Sequence, residues 1–211
     1  MTQEITIPKP ISTGMLPVME SFYTIQGEGS FTGHAAYFIR LAGCDVGCVW
    51  CDVKESWDRE KHPEYKIEDI VNTAASEKGR LAVITGGEPC MYELTALVEG
   101  LKSKDFSVNL ETSGAWPITG AFDFVCVSPK KFKAPLRESL AVADELKVVI
   151  FNASDFEWAI ENARWCKPEC RLFLQPEFEK SEKMLPLIVE FVKNNPQWNI
   201  SLQTHKFIGI P

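Results

Sequence analysis

The segment RLAGCDVGCVWCD, residues 40–52, places three cysteines within eight residues, at Cys44, Cys48 and Cys51. It directly follows Ala36–Leu41, an apolar run that is typical of a buried strand. A short loop that contains glycine can wrap three thiolates with the spacing C-x3-C-x2-C around an iron–sulfur cube, which leaves the fourth iron without a protein ligand. The segment therefore predicts a [4Fe-4S] cluster with one iron open to chemistry.

Other interpretations of these cysteines are buried free thiols and a structural zinc ion. Zinc requires a fourth ligand, for which His34 and Cys90 are the candidates. Structural zinc sites usually show two paired spacings and not one triplet, so the spacing favours the cluster. Among the remaining cysteines, Cys126 lies in an apolar run and is expected in the core. We interpret Cys90, Cys166 and Cys170 as structural, with an auxiliary metal at the last two as the alternative.

Composition limits the class of protein. With 211 residues and 45% hydrophobic content, the chain can bury one sizeable core, so we expect a single domain over residues 1–211. Its 22 basic and 29 acidic residues give a net charge of −7, which provides no electrostatic footprint for nucleic acid or an anionic membrane. A small-molecule partner is expected instead.

Cellular location follows from cysteine usage and from the lack of apolar segments. No apolar run approaches the roughly 18 residues of a membrane span, and the first residues lack a basic leader. Seven cysteines, three of them clustered, fit a reducing compartment better than a disulfide framework. We therefore expect a soluble, cytoplasmic protein. The Pro-containing stretch 8–17 predicts an extended N-terminal arm over about residues 1–20.

Strand-like and helix-like segments alternate after this arm. Buried strands are predicted at Ala36–Leu41, Leu81–Thr85, Ser107–Leu110, Phe122–Val127, Leu146–Phe151, Arg171–Leu174 and Asn199–Leu202. Apolar residues with helical period predict helices around residues 67–74, 94–101, 156–163 and 185–192. Such alternation predicts right-handed crossovers and a largely parallel sheet covered by helices.

The chain is shorter than the roughly 250 residues of a complete eight-stranded barrel. In addition, the stretches 113–121 and 128–144 are too irregular for full helices. The predicted fold class is therefore α/β, an incomplete TIM-like barrel of mostly parallel strands.

Polar clusters end most of the predicted strands. They are TGGEP at 85–89, ETSG at 111–114, SPK at 128–130, QPE at 175–177 and QTHK at 203–206. Parallel barrels place their sites at the carboxyl ends of strands, so together these clusters predict a site there. Alone, each has an ordinary interpretation as a cap or turn, and His205 is interpreted as a structural hydrogen bonder. The stretch SFYTIQGEG at 21–29 predicts either a loop over a ligand or a plain hairpin.

The cysteine segment, with Trp50 just before its last cysteine, resembles the signature of the radical S-adenosylmethionine (SAM) superfamily. Further motifs resemble one branch of it, the 7-carboxy-7-deazaguanine synthase family of the queuosine pathway. These motifs are FYTIQGEG at 22–29, FIRLAGC at 38–44, GGEP at 86–89, ETSG at 111–114, SPK at 128–130, LQP at 174–176 and QTHKFIGIP at 203–211. The resemblance covers nearly the whole chain.

This resemblance implies that SAM chelates the open iron and is cleaved to a 5′-deoxyadenosyl radical. It further implies a lyase that rearranges 6-carboxy-5,6,7,8-tetrahydropterin into 7-carboxy-7-deazaguanine with loss of ammonia. A homodimer and an electron donor such as flavodoxin are also implied. The runner-up interpretation is a radical activase that forms a glycyl radical on a partner protein, against which the QGEG loop argues. The third is a non-catalytic zinc-binding module.

The resemblance also implies site residues. It assigns to the pterin Ile25, Gln26, Gly27, Glu28, Arg40, Thr85 and Pro211. It assigns to SAM Trp50, Cys51, Asp52, Gly87, Glu88, Ser113, Ser128, Pro129, Lys130, Gln175, Pro176, Glu177 and Phe178. Chemically, the amide of Gln26 can match the donor and acceptor edge of a pterin, and the planar fork of Arg40 suits a carboxylate.

One position departs from the family pattern. Family members usually carry Thr or Ser two residues after the last cluster cysteine, where the hydroxyl binds magnesium, and this chain has Val53 there. An apolar side chain offers Mg²⁺ no oxygen, so no residue is assigned to magnesium.

Overall fold

The computed structural model describes residues 9–12 and 14–211. Within these residues, nine strands form one sheet in the order β3-β1-β2-β4-β5-β6-β7-β8-β9. The strands are β1 (Met15–Ile25), β2 (Ala35–Leu41), β3 (Glu64–Lys66), β4 (Leu81–Gly86), β5 (Ser107–Thr112), β6 (Phe124–Val127), β7 (Glu145–Ile150), β8 (Arg171–Pro176) and β9 (Trp198–Ile200). The helices are α1 (Ile67–Ala75), α2 (Thr95–Lys102), α3 (Arg137–Ala141), α4 (Asp155–Ala163), α5 (Ser181–Asn194) and α6 (Thr204–Ile208).

Most of the sheet is parallel. From β2 through β4 to β9, each strand pairs in parallel with its neighbour, whereas β1 is antiparallel to both β2 and β3. Within the described residues, β3 and β9 end the sheet without pairing to each other, so the barrel stays open. The predicted α/β fold, an incomplete barrel of mostly parallel strands, is therefore confirmed.

Alternation along the strands separates two faces of the sheet. In β7, Leu146, Val148 and Ile150 are fully buried and belong to the main core. The same core contains the apolar faces of α1 and α2 and buried residues of α4 and α5, so the helices cover this outer face. The intervening residues of β7 point to the inner face, because successive side chains of a strand alternate.

The inner face changes character along the strands. In β4, Leu81 and Val83 join Ala36 in a small buried apolar cluster near the amino ends of the strands, with Phe31 and Phe38 packed against it. Two residues further along β4, the polar Thr85 lines an open cavity. The apolar cluster therefore closes one end of the barrel, and the cavity lies at the carboxyl ends.

All seven predicted strands are present, but β1 and β3 were missed. The expected arm is wrong for residues 15–20, which belong to β1 and pair with β2 and β3. Residues 1–8 and 13 of that expected arm lie outside the described residues. Pro17 and the polar residues that follow it weaken the strand pattern, and pairing on both sides supplies the missing preference.

The four predicted helices correspond to α1, α2, α4 and α5. As expected, the stretch 113–121 contains no helix and 128–144 holds only the short α3. The last strand ends earlier than predicted, at Ile200, and QTHK lies at the start of α6 instead of at a strand end. No helix in the described part of the chain combines the length and apolar character needed to cross a membrane.

Candidate active site

A cavity of about 270 Å³ opens at the carboxyl ends of the strands. Three parts of the chain surround it: the strand ends, the segment 43–53, which we call the cluster loop, and residues 203–211, which we call the C-terminal segment. Residues from all three line the cavity, including Cys44, Arg40 and Pro211. The structure thus brings together the regions that the sequence assigned separately to a cluster, a cofactor and a substrate.

The three cysteines of the cluster loop are unpaired, and all three line the cavity. The loop is held at its ends, because Gly43 N donates to Ser56 O at 2.6 Å and Cys44 N to Trp57 O at 3.1 Å. Between them, Cys51 N donates to Cys48 O at 3.1 Å, which closes a turn. The backbone therefore presents three thiols to one chamber.

The raised pKa values of two of these thiols indicate that, when deprotonated, they suit a positively charged metal centre. Burial raises the pKa of Cys44 to about 11 and also raises the pKa of Cys48, so both thiolates require a positively charged partner. Within the described residues, however, no three His, Cys, Asp or Glu side chains converge on a single metal ion. Separate thiols around one wall fit a cube, whose irons occupy different corners, better than one zinc ion.

The candidates for a fourth zinc ligand do not complete such a site. Cys90 is fully buried in the turn after β4, and its pKa is raised well above the usual value by burial. His34 is exposed and its Nδ1 lies 3.0 Å from Phe31 O. Neither lines the cavity. The residues present therefore fit a [4Fe-4S] cluster held by Cys44, Cys48 and Cys51.

Most residues assigned to SAM lie beside the cluster loop. Those that line the cavity are Trp50, Cys51, Asp52, Gly87, Ser113, Ser128, Lys130, Gln175, Pro176, Glu177 and Phe178. Gly87 shows why a glycine is needed at the end of β4, because a Cβ there would collide with Gly43 O and with Cys44. The strand end and the cluster loop thus pack directly on each other.

Lys130 lies between the cluster loop and the strand ends. Its Nζ donates to Ser128 O at 2.7 Å and to Ser128 Oγ at 2.5 Å, and it lies 5.6 Å from the ring centroid of Trp50. Burial lowers the pKa of Lys130 from its usual value. Its ammonium is therefore fixed in the cavity by a serine and an aromatic ring.

Two residues assigned to SAM do not reach the cavity. Glu88 is fully buried, and its carboxylate accepts from Cys90 N at 3.0 Å, from Thr112 Oγ1 at 2.5 Å and from Ser113 N at 2.9 Å. These hydrogen bonds connect the end of β4 to the end of β5, so the carboxylate of Glu88 holds the two strand ends together. Pro129 instead lines a neighbouring pocket, where its carbonyl accepts from Trp158 Nε1 at 3.4 Å.

All seven residues assigned to the pterin line the cavity, namely Ile25, Gln26, Gly27, Glu28, Arg40, Thr85 and Pro211. Arg40 is held by Glu20 at 2.7 Å and sits beside Thr85 in the sheet register. The C-terminal segment docks on this side, where Thr204 N donates to Gly27 O and Thr24 Oγ1 to Pro211 O. The C-terminal segment can pack here only because residue 27 is a glycine, since a Cβ on Gly27 would collide with the ring of His205.

The side-chain amide of Gln26 is already engaged within the protein. Its Nε2 donates to Glu111 Oε1 at 2.8 Å, and its Oε1 accepts from Glu28 N at 3.0 Å. The direct match between this amide and a pterin edge thus stays a prediction. The geometry shows instead that Gln26 links the carboxylate of Glu111 to the backbone N–H of Glu28.

The sequence interpretation missed Lys147, which lines the cavity from the inner face of β7. Its Nζ contacts Glu28 Oε2 at 2.5 Å and Glu111 Oε2 at 3.3 Å, and we call these three residues the ion triad. Burial favours the neutral amine, but Glu111 and Glu28 outweigh it and hold the pKa of Lys147 well above its usual value. A charged residue inside the apolar run ELKVVI was the available signal.

The pair with Lys147 also shifts the pKa of Glu28. Burial raises its pKa, but the charge of Lys147 and the hydrogen bonds from Lys147 and Gln203 outweigh burial, so the pKa lies below the usual value. Gln203 Nε2 donates to Glu28 Oε1 at 2.9 Å. Glu28 is therefore an ionised carboxylate at neutral pH.

The C-terminal segment also reaches the cluster loop, where Lys206 Nζ pairs with Asp52 Oδ2 at 2.9 Å. His205, interpreted from sequence as structural, lines the cavity, and burial lowers its pKa. Val53 lines the cavity with an apolar side chain at the position where the family pattern has a hydroxyl.

Comparison with known proteins agrees with this geometry. A family model of the radical SAM superfamily matches residues 38–123, which include the cluster loop. The 7-carboxy-7-deazaguanine synthase of Flavobacterium psychrophilum is 52% identical, with 100% of each chain covered. That of Synechocystis is 45% identical, covering 95% of this chain and 98% of the relative.

Similarity extends to a solved structure. The crystal structure of QueE from Escherichia coli matches with a TM-score of 0.82 and 31% identity, covering 89% of this chain and 93% of that one. The chain therefore belongs to the 7-carboxy-7-deazaguanine synthase family of the radical SAM superfamily.

Proposed function

We propose that this protein is a radical SAM lyase that converts 6-carboxy-5,6,7,8-tetrahydropterin to 7-carboxy-7-deazaguanine with loss of ammonia. The observation that carries the proposal is that three thiols, Arg40 and the ion triad line one and the same cavity. Family membership supports the same activity. The proposed cofactors are a [4Fe-4S] cluster on Cys44, Cys48 and Cys51, and SAM.

The cluster and SAM, when bound, supply the hydrogen-abstracting radical chemistry. The chain supplies binding, orientation and shielding. Arg40 offers a fork to the pterin carboxylate, because its Nε is held by Glu20 and its remaining N–H groups are free to bind a second carboxylate on the cavity side. The apolar rings of Phe22 and Phe38, stacked with centroids 5.6 Å apart, form part of the wall and limit water.

On the cofactor side, we propose that Trp50, Asp52, Gly87, Ser113, Ser128, Lys130 and residues 175–178 hold SAM. Their position beside the cluster loop supports this assignment. Glu88 acts there through Ser113, whose N–H and hydroxyl both donate to its carboxylate. Pro129 contributes by shaping the turn between Ser128 and Lys130.

Several finer proposals rest on the family resemblance. We propose one domain over residues 1–211, a homodimer, a cytoplasmic location and a flavodoxin-like electron donor. We also propose that Mg²⁺ is less important here than in relatives with a hydroxyl at the position of Val53, since Mg²⁺ loses a protein oxygen.

The deciding experiment is anaerobic incubation of the reconstituted protein with SAM, reductant and carboxytetrahydropterin, followed by mass spectrometry. The expected products are carboxydeazaguanine and ammonia; because this rearrangement is redox-neutral, the hydrogen abstracted from the pterin is returned in the course of the reaction. If SAM is cleaved but no deazapurine forms, the function is wrong and the radical activase becomes the better interpretation. A colourless protein without charge-transfer absorption would instead indicate a zinc-binding module.

A further inference from the structure

The ammonium of Lys147 contacts two neighbouring carboxylates, and little of its side chain is accessible to a ligand in the cavity. Its side chain is only 4% exposed, whereas the side chains of Glu28 and Glu111 are 15% and 24% exposed. All three line the cavity. A bound molecule therefore meets the carboxylates first and reaches the ammonium little.

Both carboxylates depend on this ammonium. Among the described residues, Lys147 is the ion-pair partner of Glu28 and of Glu111. The lysine and arginine cations that also line the cavity are engaged elsewhere: Arg40 with Glu20, Lys206 with Asp52, and Lys130 with Ser128. Removing one partner of a buried ion pair leaves an uncompensated charge, so the state of both carboxylates follows Lys147.

The two carboxylates arrive from distant parts of the chain. Glu28 lies in the loop between β1 and β2, and Glu111 lies near the end of β5. Lys147 on β7 joins them, and Gln26 adds a second link through Glu111 Oε1 and Glu28 N. The ammonium thus fixes the distance between two acceptors that no local backbone geometry sets.

With one ammonium shared by two carboxylates, the ion triad retains a net negative charge. Each of its four carboxylate oxygens accepts one hydrogen bond, from Lys147, Gln203 or Gln26, and keeps a second lone pair that can accept from a ligand, because an ionised carboxylate only accepts. The complement of such a surface is a ligand edge rich in N–H donors. A 2-aminopyrimidinone, as in a reduced pterin, presents such an edge.

We propose that Lys147 is a positioning residue for substrate recognition, holding Glu28 and Glu111 at the spacing at which their carboxylates accept from the N–H edge of a 2-aminopyrimidinone. This inference rests on the proposed function and deepens it. It assigns to Lys147 no contact with the reacting atoms and no role in cluster assembly.

The test measures binding of carboxytetrahydropterin by anaerobic calorimetry in the cluster-loaded protein with SAM present and no reductant. Lys147→Met keeps an unbranched side chain that is one atom shorter, and it removes the charge. We expect the dissociation constant to rise at least about thirtyfold. Cluster iron content and reductive SAM cleavage without pterin should equal those of the wild type. Lys167→Met is the matched control, because Lys167 forms a surface pair with Asp144 outside the cavity.

A second variant separates a specific effect of Lys147 from misfolding caused by an unpaired buried carboxylate. Lys147→Met combined with Glu28→Gln keeps the net charge of the triad and avoids an unbalanced buried carboxylate. Its affinity is compared with that of Glu28→Gln alone, which completes a double-mutant cycle. If Lys147 acts through Glu28, its replacement has a smaller effect in the Glu28→Gln background. Full additivity in this cycle would overturn the proposal, as would an affinity of Lys147→Met alone that equals that of the wild type.

Affinity against pH separates positioning from a merely structural role. The wild type should bind equally from pH 6 to 8, since Lys147 keeps the pKa of Glu28 low. In Lys147→Met burial dominates, the pKa of Glu28 rises, and affinity should fall as pH falls. Other titratable or charged groups near the triad are Asp52, Cys126, Lys130, Glu145 and His205. The same pH curve in His205→Gln and in Lys147→Met would overturn the proposal.

Separate measurements of pterin binding and of product formation distinguish the proposed function from the proposed role of Lys147. If the wild type binds the pterin but makes no deazapurine, the proposed function fails while the affinity comparison still decides the role of Lys147. If the wild type does not bind the pterin, both fail.

Discussion

The cluster loop and the ion triad line the same cavity, yet they are built in opposite ways. The three cysteines lie within eight consecutive residues, so their spacing alone indicates their chemistry. Glu28, Glu111 and Lys147 come from three separate elements, up to 119 residues apart, and meet only after folding. Local spacing therefore reveals the chemistry of the cluster loop, whereas the contacts within the ion triad, and Lys147 itself, become visible only in the folded chain.

The largest effect is expected from a substitution that disrupts only the cofactor half of the site. Cys48→Ala should abolish reductive SAM cleavage, because it removes one of three thiolates from the cluster. Iron content and 5′-deoxyadenosine formation after anaerobic reconstitution are the measurements. Cys126→Ala is the control, since that thiol is buried near Glu145 and does not line the cavity. Retained cleavage in the Cys48 variant would show that the cluster assignment is wrong.

A second change tests whether the substrate half depends on close packing. Gly27→Ala places a Cβ against the ring of His205, so the C-terminal segment must shift away from the loop after β1. We expect the KM for carboxytetrahydropterin to rise at least about tenfold, or 1.4 kcal/mol, with unchanged cluster content. Gly14→Ala is the comparison variant, because a Cβ at Gly14 meets no atom within 4 Å and this residue does not line the cavity. Equal KM values for Gly27→Ala and the wild type would contradict this packing argument.

Deleting residues 209–211 tests the far end of the same segment. Pro211 lines the cavity and its carbonyl accepts from Thr24 at 3.3 Å, which connects this end to β1. The deletion should weaken pterin binding by about tenfold and leave cluster assembly intact. Calorimetry with the pterin and iron analysis measure the two halves separately. Unchanged affinity would remove Pro211 from the substrate site.

The response to magnesium probes a position at the boundary between the halves. Val53 follows the last cluster cysteine and lines the cavity without offering an oxygen. After metal removal by a chelator that spares the cluster, activity of the wild type should respond weakly to added Mg²⁺. Val53→Thr should respond more steeply, because a hydroxyl completes the oxygen shell. An equally steep requirement in both proteins would contradict the prediction.

The smallest effect is expected where the C-terminal segment touches the cluster loop. Lys206→Met removes the pair with Asp52, whose side chain is 57% exposed, and exposed pairs contribute little. The KM for SAM should therefore rise no more than about fivefold. Lys193→Met, which breaks an exposed pair on α5, is the control. A loss of the cluster in Lys206→Met would mean that the two halves are coupled more tightly than their contacts indicate.

Much of the fold was predictable from periodicity, because buried parallel strands and amphipathic helices carry strong local patterns. Strand β1 was missed, since Pro17 and alternating exposed residues obscure the pattern that pairing with β2 and β3 completes. The short β3 was missed because its three residues are exposed and too few for a period. Tertiary pairing decided both.

The site divides in the same way. Cys44, Cys48, Cys51 and the polar strand ends could be identified from motifs, and nearly all of them line the cavity. Glu88 belongs to a motif but is fully buried, because Thr112 and Ser113 on the next strand supply donors to its carboxylate. A motif thus names a residue without giving the direction of its side chain.

The sequence by itself determined the alternation of strands and helices and the triplet of thiols, because both depend on neighbours within one turn or one loop. Only the tertiary structure decided that Lys147 faces the cavity and pairs with Glu28 and Glu111. A buried ammonium needs carboxylates to offset its lost hydration, and these come from elements that only the folded, curved sheet brings within reach.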